Sequence, residues 1–341
     1  MKRIGKQTLV FTNKPMIIGN YSIVGEKEGN GNFKEYFHYI LKDDKFGEKT
    51  FEKAERKILE HALFHAVESA GLKINDIDIM VCGDLLNQII SSTFSARQFK
   101  IPYVGLYGAC STMAESIAVG ALMVDGKYAK NVLCGTGTHF SSAERQYRFP
   151  LELGNQRPPT SQWTITGAGA STLSLEGVGH YIVNATFGKV VDYGIMDVNN
   201  MGAAMAPAAM DTLIAHFEDT NTQPKDYDLI LTGDLGKLGS EILMDLMENK
   251  GYKLNENYCD CGHMMFNENQ RTFQGGSGAG CSAVVLNSYV MAKLTTGEYK
   301  RVLFCATGAL LSTLSSQQGD SIPGICHAVE IVKNDEVTKW H

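Results

Sequence analysis

Leu106-Tyr107-Gly108-Ala109-Cys110-Ser111-Thr112-Met113-Ala114-Glu115-Ser116 is the stretch whose reading decides the fold. Just ahead of it, Tyr103-Val104-Gly105 is short and apolar, as a buried strand or approach segment is. Gly108 and Ala109 remove bulk. From Ser111 the period changes: Met113, Ala114, Ile117, Ala118, Ala121 and Leu122 recur at helical spacing. Cys110 therefore stands at a strand-to-helix corner, with Ser111 or Thr112 placed to cap the helix. A helix start offers unpaired N–H groups and the positive end of a dipole. A thiol there is biased toward thiolate, and an anion there is held. The stretch reads equally as a nucleophile or as an anion seat.

Outward from this corner, strands and helices alternate. Ala54, Ile58, Leu59, Ala62, Leu63, Ala66 and Val67 form the apolar stripe of a helix over 50–70, ended by Gly71. Ile77-Asp78-Ile79-Met80-Val81-Cys82 reads as a strand closing on Gly83-Asp84. Asn131-Val132-Leu133-Cys134 reads as another, ending in Gly135-Thr136-Gly137-Thr138-His139. Residues 26–50 are Gly-rich and charged and read as an exposed loop with partial structure. Residues 145–162 read as an irregular excursion, and Thr166-Gly167-Ala168-Gly169 as a turn into a strand. A helix follows over 203–216.

The pattern then repeats. Asp226-Tyr227-Asp228-Leu229-Ile230-Leu231-Thr232-Gly233-Asp234 echoes Asp76-Ile77-Asp78-Ile79-Met80-Val81-Cys82-Gly83-Asp84. Gly280-Cys281-Ser282 echoes Ala109-Cys110-Ser111, and the same offset carries Gly126 onto Gly297, Tyr128 onto Tyr299, Cys134 onto Cys305 and Thr136 onto Thr307. Matches at fixed offset, each at an equivalent place in a βα unit, are an internal duplication. We divide the chain into halves 1–180 and 181–341. Alternating βα units of this kind predict an α/β protein, its duplicated halves layered α/β/α/β/α about a pseudo-twofold axis. Ligands in such folds gather at the carboxyl ends of strands, where Asp84, Cys110, Asp234 and Gly275-Gly276-Ser277 fall.

With 341 residues, 44% of them hydrophobic, the chain can build a substantial core. A formal net charge of −6 speaks against nucleic acid or an anionic membrane face as main partner. No run of about eighteen apolar residues occurs, so no spanning helix is expected, and the basic start at Lys2-Arg3 lacks the apolar core of a secretory signal. Eight scattered cysteines, several in apolar strand-like runs, suit reduced thiols in the cytoplasm.

The duplicated halves, the Gly-Ala-Cys-Ser helix start at Cys110 and the turn Gly275-Gly276-Ser277-Gly278-Ala279-Gly280 resemble the thiolase and β-ketoacyl synthase superfamily. More narrowly, the Cys110 stretch, Asp197-Val198-Asn199-Asn200-Met201-Gly202-Ala203-Ala204-Met205-Ala206-Pro207-Ala208-Ala209 and Asp260-Cys261-Gly262 resemble the stage V sporulation protein AD family. The wider resemblance implies a thiolase-like fold. It also implies a Cys nucleophile for acyl thioesters, helped by one His and a second His or Asn. The His position here reads Thr232-Gly233-Asp234, and the Asn position corresponds to Gly276. Cys110 stands without either helper, so the reading is a non-catalytic protein. The alternative is a Cys110-dependent acyltransferase or condensing enzyme acting on acyl-coenzyme A or acyl-carrier thioesters.

The narrower resemblance implies binding of dipicolinic acid (pyridine-2,6-dicarboxylate), free or with calcium, for uptake into the developing spore. Small membrane proteins of the same operon are the implied partners, and the implied location is peripheral, at the spore inner membrane. A homodimer joined through the strand at 131–134 is implied by the superfamily. The expected ligand-binding residues are Cys110, Ser111, Asp84, Asn87, His139, Asp234, Gly276, Ser277 and His327. Backbone donors at Cys110-Ser111 and in the Gly275–Gly278 turn suit a dianion, while Asp84 and Asp234 suit its calcium chelate. No resident cofactor or metal is expected. Cys259-Asp260-Cys261-Gly262-His263 reads as a strand with alternate residues on one face, but it lacks the second ligand pair of a zinc site. Arg145, Arg148 and Arg157 read first as an exposed charged excursion, and second as an anion entrance.

Overall fold

The computed structural model describes residues 2–147 and 157–334. Its frame is two series of strands. The first is β1 (Met16–Val24), β2 (Ile79–Asp84), β3 (Tyr103–Gly105), β4 (Asn131–Thr138) and β5 (Gly167–Ser174). The second is β6 (His180–Thr186), β7 (Leu229–Thr232), β8 (Tyr258–Asp260), β9 (Arg301–Ala309) and β10 (Gly324–Val332). The first pairs in the order β3-β2-β4-β5-β1 and the second in the order β8-β7-β9-β10-β6. In each series the fifth strand alone runs opposite to the other four. The repeat read in the sequence is thus a repeat of topology. The series touch where β6 pairs with β1, His180 opposite Ile17 and Tyr181 opposite Met16.

The strands are apolar on both faces because each sheet is covered twice. Helix α1 (Phe51–Ser69) lies on the outer face of the first sheet, packing Ile58, Leu59 and Leu63 with Met80, Cys82 and Leu133. A second helix, α2 (Ile90–Phe99), follows β2. Helix α3 (Thr112–Asp125) lies between the sheets, where Met113, Ile117 and Ala121 meet Val81 and Cys134 on one side and Phe304, Val329 and Ile331 on the other. Short α4 (Phe140–Tyr147) follows β4. On the outer face of the second sheet, α5 (Met201–Thr220) packs Met205, Ala208 and Leu213 with Ile230, Leu303 and Ala328. Helix α6 (Gly236–Glu248) follows β7, and α7 (Cys261–Met265) follows β8. Helix α8 (Ala279–Val285) is α3's partner in the central layer. The result is the mixed α/β, five-layered body that the alternation predicts. All eight cysteines are free thiols.

Several local expectations are corrected. Gly167 and Gly169 belong to β5, not to a turn. Helix α8 lies so close that a Cβ on Gly169 would stand 2.2 Å from the Ala283 carbonyl oxygen. The segment 26–50 is no loose loop. Its charges at Lys42-Asp43-Asp44-Lys45 face solvent, but Phe33, Phe37 and Leu41 are buried. Glu28 is buried too, accepts from the Thr166 N–H (3.1 Å), and burial pushes its carboxyl up to about 8. Arg145 belongs to α4, and Arg148 lies outside the described residues. The strand at 131–134 cannot receive a partner's strand, because β4 already pairs with β2 and β5 on its two sides. Among the described residues, the free edge of the first sheet is β3. Finally, the strand at Cys259 stops at Asp260. Cys261 and His263 are on α7, so the three soft side chains do not share a strand face.

Candidate functional site

Cys110 sits in one tight helical turn, Ala109–Ser111, that runs into α3. Ala109, immediately before it, has φ +51, a left-handed conformation that costs on the order of 1 kcal/mol for a residue with a Cβ. The second half presses on this corner. A Cβ on Gly308 would stand 2.3 Å from the Gly108 carbonyl oxygen and 3.1 Å from the Ser111 nitrogen. Neither hydroxyl caps α3 as expected. Ser111 Oγ donates to the Gly108 carbonyl and Thr112 Oγ1 to the Ala109 carbonyl, both at 2.7 Å, tightening the turn instead. The Ser111 N–H is also spent on Gly108 O (3.0 Å).

The protein's own carboxylate faces this corner. Asp234 is buried; Oδ1 accepts from Thr307 Oγ1 (3.0 Å), and Oδ2 from Ser277 Oγ and the Gly278 N–H (both 3.0 Å). The Cys110 thiol lies near enough to the same carboxylate to help pull its pKa down. Burial pushes the Asp234 carboxyl up to about 6 against the pull of these donors. The turn donor expected to meet a ligand dianion, Gly278 N–H, thus meets Asp234.

Asp84 occupies the matching place in the first half and does different work. Its Oδ1 accepts from Leu86 N–H (3.0 Å), and its Oδ2 from the N–H (2.8 Å) and hydroxyl (2.5 Å) of Ser92, in the first turn of α2. In the second half that local duty passes to Asp260. It accepts from Leu235, Gly236 and His263 N–H groups (2.9 Å each) and from Thr232 Oγ1 (2.8 Å). Asp234 is thereby released to turn toward Cys110. We expect Asp84→Ala to lower stability by about 2 kcal/mol, as loss of a strong cap does, and to leave ligand affinity unchanged. Urea unfolding and calorimetry on the same preparation check both halves of that statement.

A narrow cleft opens over Cys110. Its walls include Tyr107, Cys110, Glu144, Tyr147, Thr164 and Ser277. Tyr107 is 45% exposed at the mouth and meets Tyr147 hydroxyl to hydroxyl at 3.1 Å; Tyr147 donates onward to the Leu85 carbonyl. Glu144, 5% exposed, accepts from Thr164 Oγ1 at 2.8 Å. Cys110, Asp234 and Ser277 come together here. Gly276 pairs with Trp163 just behind Ser277, and its carbonyl accepts from Gln162 Nε2 (2.8 Å).

The other expected residues stand elsewhere. Asp84 is not among the residues that line the cleft. Asn87 is exposed and borders an adjoining depression shared with Tyr107 and Tyr147. His139 bonds the Asp44 carbonyl through Nε2 (2.8 Å) and accepts from Ser141 N–H, committing its ring to the 26–50 segment. His327 accepts from Gly188 N–H (3.2 Å) beside Phe187, and burial pushes it down to about 4. Among the described residues, no histidine lines the cleft. Arg145 contacts Glu52 at 3.3 Å, and Arg157 lies over the Trp163 ring at 4.8 Å.

The family model of stage V sporulation protein AD matches residues 5–332. The stage V sporulation protein AD of Bacillus subtilis (strain 168) is 43% identical over 329 residues, 96% of this chain and 97% of that protein. This chain belongs to the stage V sporulation protein AD family. Among solved structures, cerulenin-bound OleA of Xanthomonas campestris superposes with a TM-score of 0.61 at 12% identity, covering 95% of this chain and 98% of that one. The 3-oxoacyl-[acyl-carrier-protein] synthase III of Aquifex aeolicus VF5 gives 0.58 at 13% identity, covering 93% and 99%. Human mitochondrial 3-ketoacyl-CoA thiolase in complex with CoA gives 0.56 at 12%, covering 95% and 99%. At these identities the likeness establishes the fold alone, and that fold is thiolase-like.

In this member of the stage V sporulation protein AD family, sequence reasoning missed Tyr107, Glu144, Tyr147 and Thr164. Tyr107 lay in the decisive stretch itself, three residues before Cys110. Glu144 and Tyr147 are three apart, so they share a face of α4, and α4 directly follows the strand end at His139. Among the described residues, no group of three or more His, Cys, Asp or Glu is arranged to hold a metal ion, and no helix is long and apolar enough to cross a membrane.

Proposed function

We propose that the Cys110 cleft is a receptor for a small aromatic dicarboxylate, pyridine-2,6-dicarboxylate, free or as its calcium chelate, and that it does not turn over thioesters. The observation that carries this reading is the buried Asp234 carboxylate, held by Thr307, Ser277 and Gly278 at the Cys110 corner where the superfamily reading expects a histidine. Acyl transfer needs the sulfur ionised and a donor at the developing oxyanion. A carboxylate opposes the first and, as an acceptor, cannot supply the second. The walls suit a flat ligand, to which two phenol rings offer apolar faces. Glu144 offers an oxygen to a calcium ion that the ligand carries in.

Calorimetry with pyridine-2,6-dicarboxylate, with and without calcium, tests the proposal. Saturable binding that is lost in Ala309→Leu, which narrows the cleft, is the expected result. Absence of binding, or binding indifferent to that substitution, overturns it. Acyl transfer keeps one observation in its favour, the left-handed Ala109 that presents Cys110 to the cleft. Stoichiometric labelling by radiolabelled acyl-coenzyme A, lost in Cys110→Ala, would install that reading instead.

Asp234 adds a pH dependence. Above about pH 6 its carboxyl is charged and repels a bound dianion; below, it is neutral. Affinity for the free dianion should therefore rise, by about threefold between pH 7.5 and 5.5, while affinity for the calcium chelate falls. Titration calorimetry across that range checks the sign. The same reading takes the protein to the spore inner membrane peripherally, beside small membrane proteins of its operon. It takes the chain as a homodimer joined at the unpaired edge of β3.

A further inference from the structure

The outer face of α1 carries a feature unrelated to the Cys110 cleft. His61 and His65 are one helical turn apart, and their ring centroids are 4.3 Å from each other. One ion can take a nitrogen from each of two rings at that separation, with metal–nitrogen bonds of about 2.0–2.1 Å. His65 Nδ1 is held by Glu68 Oε2 at 2.7 Å, which leaves Nε2 as its ligating nitrogen. A carboxylate behind a ligating imidazole fixes its tautomer and raises its basicity. The Nδ1 of His61 is buried without a hydrogen-bond partner. A buried imidazole nitrogen left so is a cost to the fold unless something binds it.

The surroundings hold both rings in place. Tyr21 stacks on His65 at 4.9 Å and lies 5.6 Å from His61, while Tyr39 and Phe46 pack against His61 at 5.2 and 5.6 Å. Rings already ordered lose little freedom on binding. His38, the third imidazole near Tyr21, directs Nδ1 at the Ser22 N–H (3.2 Å) and stands apart from the pair.

We propose that His61 and His65 form a two-imidazole site for a divalent transition-metal ion of the nickel, copper and zinc group, with Glu68 orienting His65 and water completing the coordination. Nitrogen ligands and the absence of carboxylates from the inner sphere select against calcium and magnesium. With two protein ligands the site is weaker than a four-ligand structural zinc site. It is independent of what the cleft binds.

The test is nickel chloride titration of the full, untagged chain by calorimetry at pH 7.5, with thermal unfolding alongside. One ion per chain and a raised unfolding midpoint are expected. His61→Gln and His65→Gln should each weaken binding at least tenfold, and Glu68→Gln about tenfold, the usual cost of losing such an orienting carboxylate. His38→Ala should leave binding unchanged. No binding at about millimolar nickel, an affinity of only about 4 kcal/mol, would overturn the proposal. So would binding undiminished in both histidine variants.

Discussion

Replacing Glu330 with alanine lowers the unfolding free energy by about 3–5 kcal/mol, as removal of one partner from a buried ion pair does. Glu330 lies on β10 and is 1% exposed. Its Oε1 accepts from Arg301 Nε at 2.7 Å, and its Oε2 from Asn184 Nδ2 at 2.8 Å, with His216 Nε2 3.6 Å away. His216 continues the network to the Tyr227 hydroxyl (2.8 Å) and to Thr186 Oγ1 (2.7 Å). One carboxylate thus ties together β6, β9, β10 and α5. Without it the Arg301 guanidinium stays buried over the Tyr227 ring and loses its carboxylate partner on β10. Burial alone would push the Glu330 carboxyl up; the His216 and Arg301 contacts outweigh burial and hold it at about 2. The folded value is below the ordinary one of 4.5. The stabilisation is therefore present above pH 4.5 and is lost as the pH falls toward 2, about 3 kcal/mol in all. Urea unfolding at neutral pH and at pH 3 reads both effects. In Glu330→Ala this part of the acid dependence should vanish. A loss under about 1 kcal/mol at neutral pH, the range of an exposed pair, would show that the network carries little.

The duplication was legible because buried strands and helix starts are constrained locally. A strand covered on both faces must be mostly apolar, and a corner such as Gly108-Ala109-Cys110 must be small. Both constraints are written twice in the chain. What the repeat could not disclose is divergence between its copies. Asp84 and Asp234 occupy equivalent positions, yet one caps its own helix and the other faces Cys110. The difference lies in Asp260, which relieves Asp234 and is close to it only in space. Polar composition misled over 26–50, where three buried apolar side chains outweigh a run of surface charge. The Cys259 run was read with the wrong period because Asp260 caps α7 and so ends the strand midway through it. The cleft walls escaped notice for a related reason. Glu144 and Tyr147 reach Cys110 across a fold in the chain, and no spacing along the sequence encodes that approach.

Glu144 is where the proposed ligand reading is most exposed to test. Glu144→Gln should weaken binding of the calcium chelate at least about tenfold, or about 1.4 kcal/mol, while the free dianion binds as well or better. The substitution is nearly isosteric, and the amide oxygen can still accept from Thr164 Oγ1. What is removed is one negative charge on the wall of a small cleft. Calcium prefers carboxylate oxygens at about 2.3–2.6 Å, so a chelated ion loses a ligand or a close counter-charge. A bare dianion loses only a repulsion. Asp234→Asn is a poorer probe. Ser277, Gly278 and Thr307 all donate to that carboxylate, and an amide must turn a donor toward one of them, mixing stability with affinity. Calorimetry of Glu144→Gln with each ligand form separates the outcomes. Opposite shifts mean that the cleft takes the chelate through Glu144. Equal losses for both forms would make Glu144 a packing residue and move calcium recognition elsewhere.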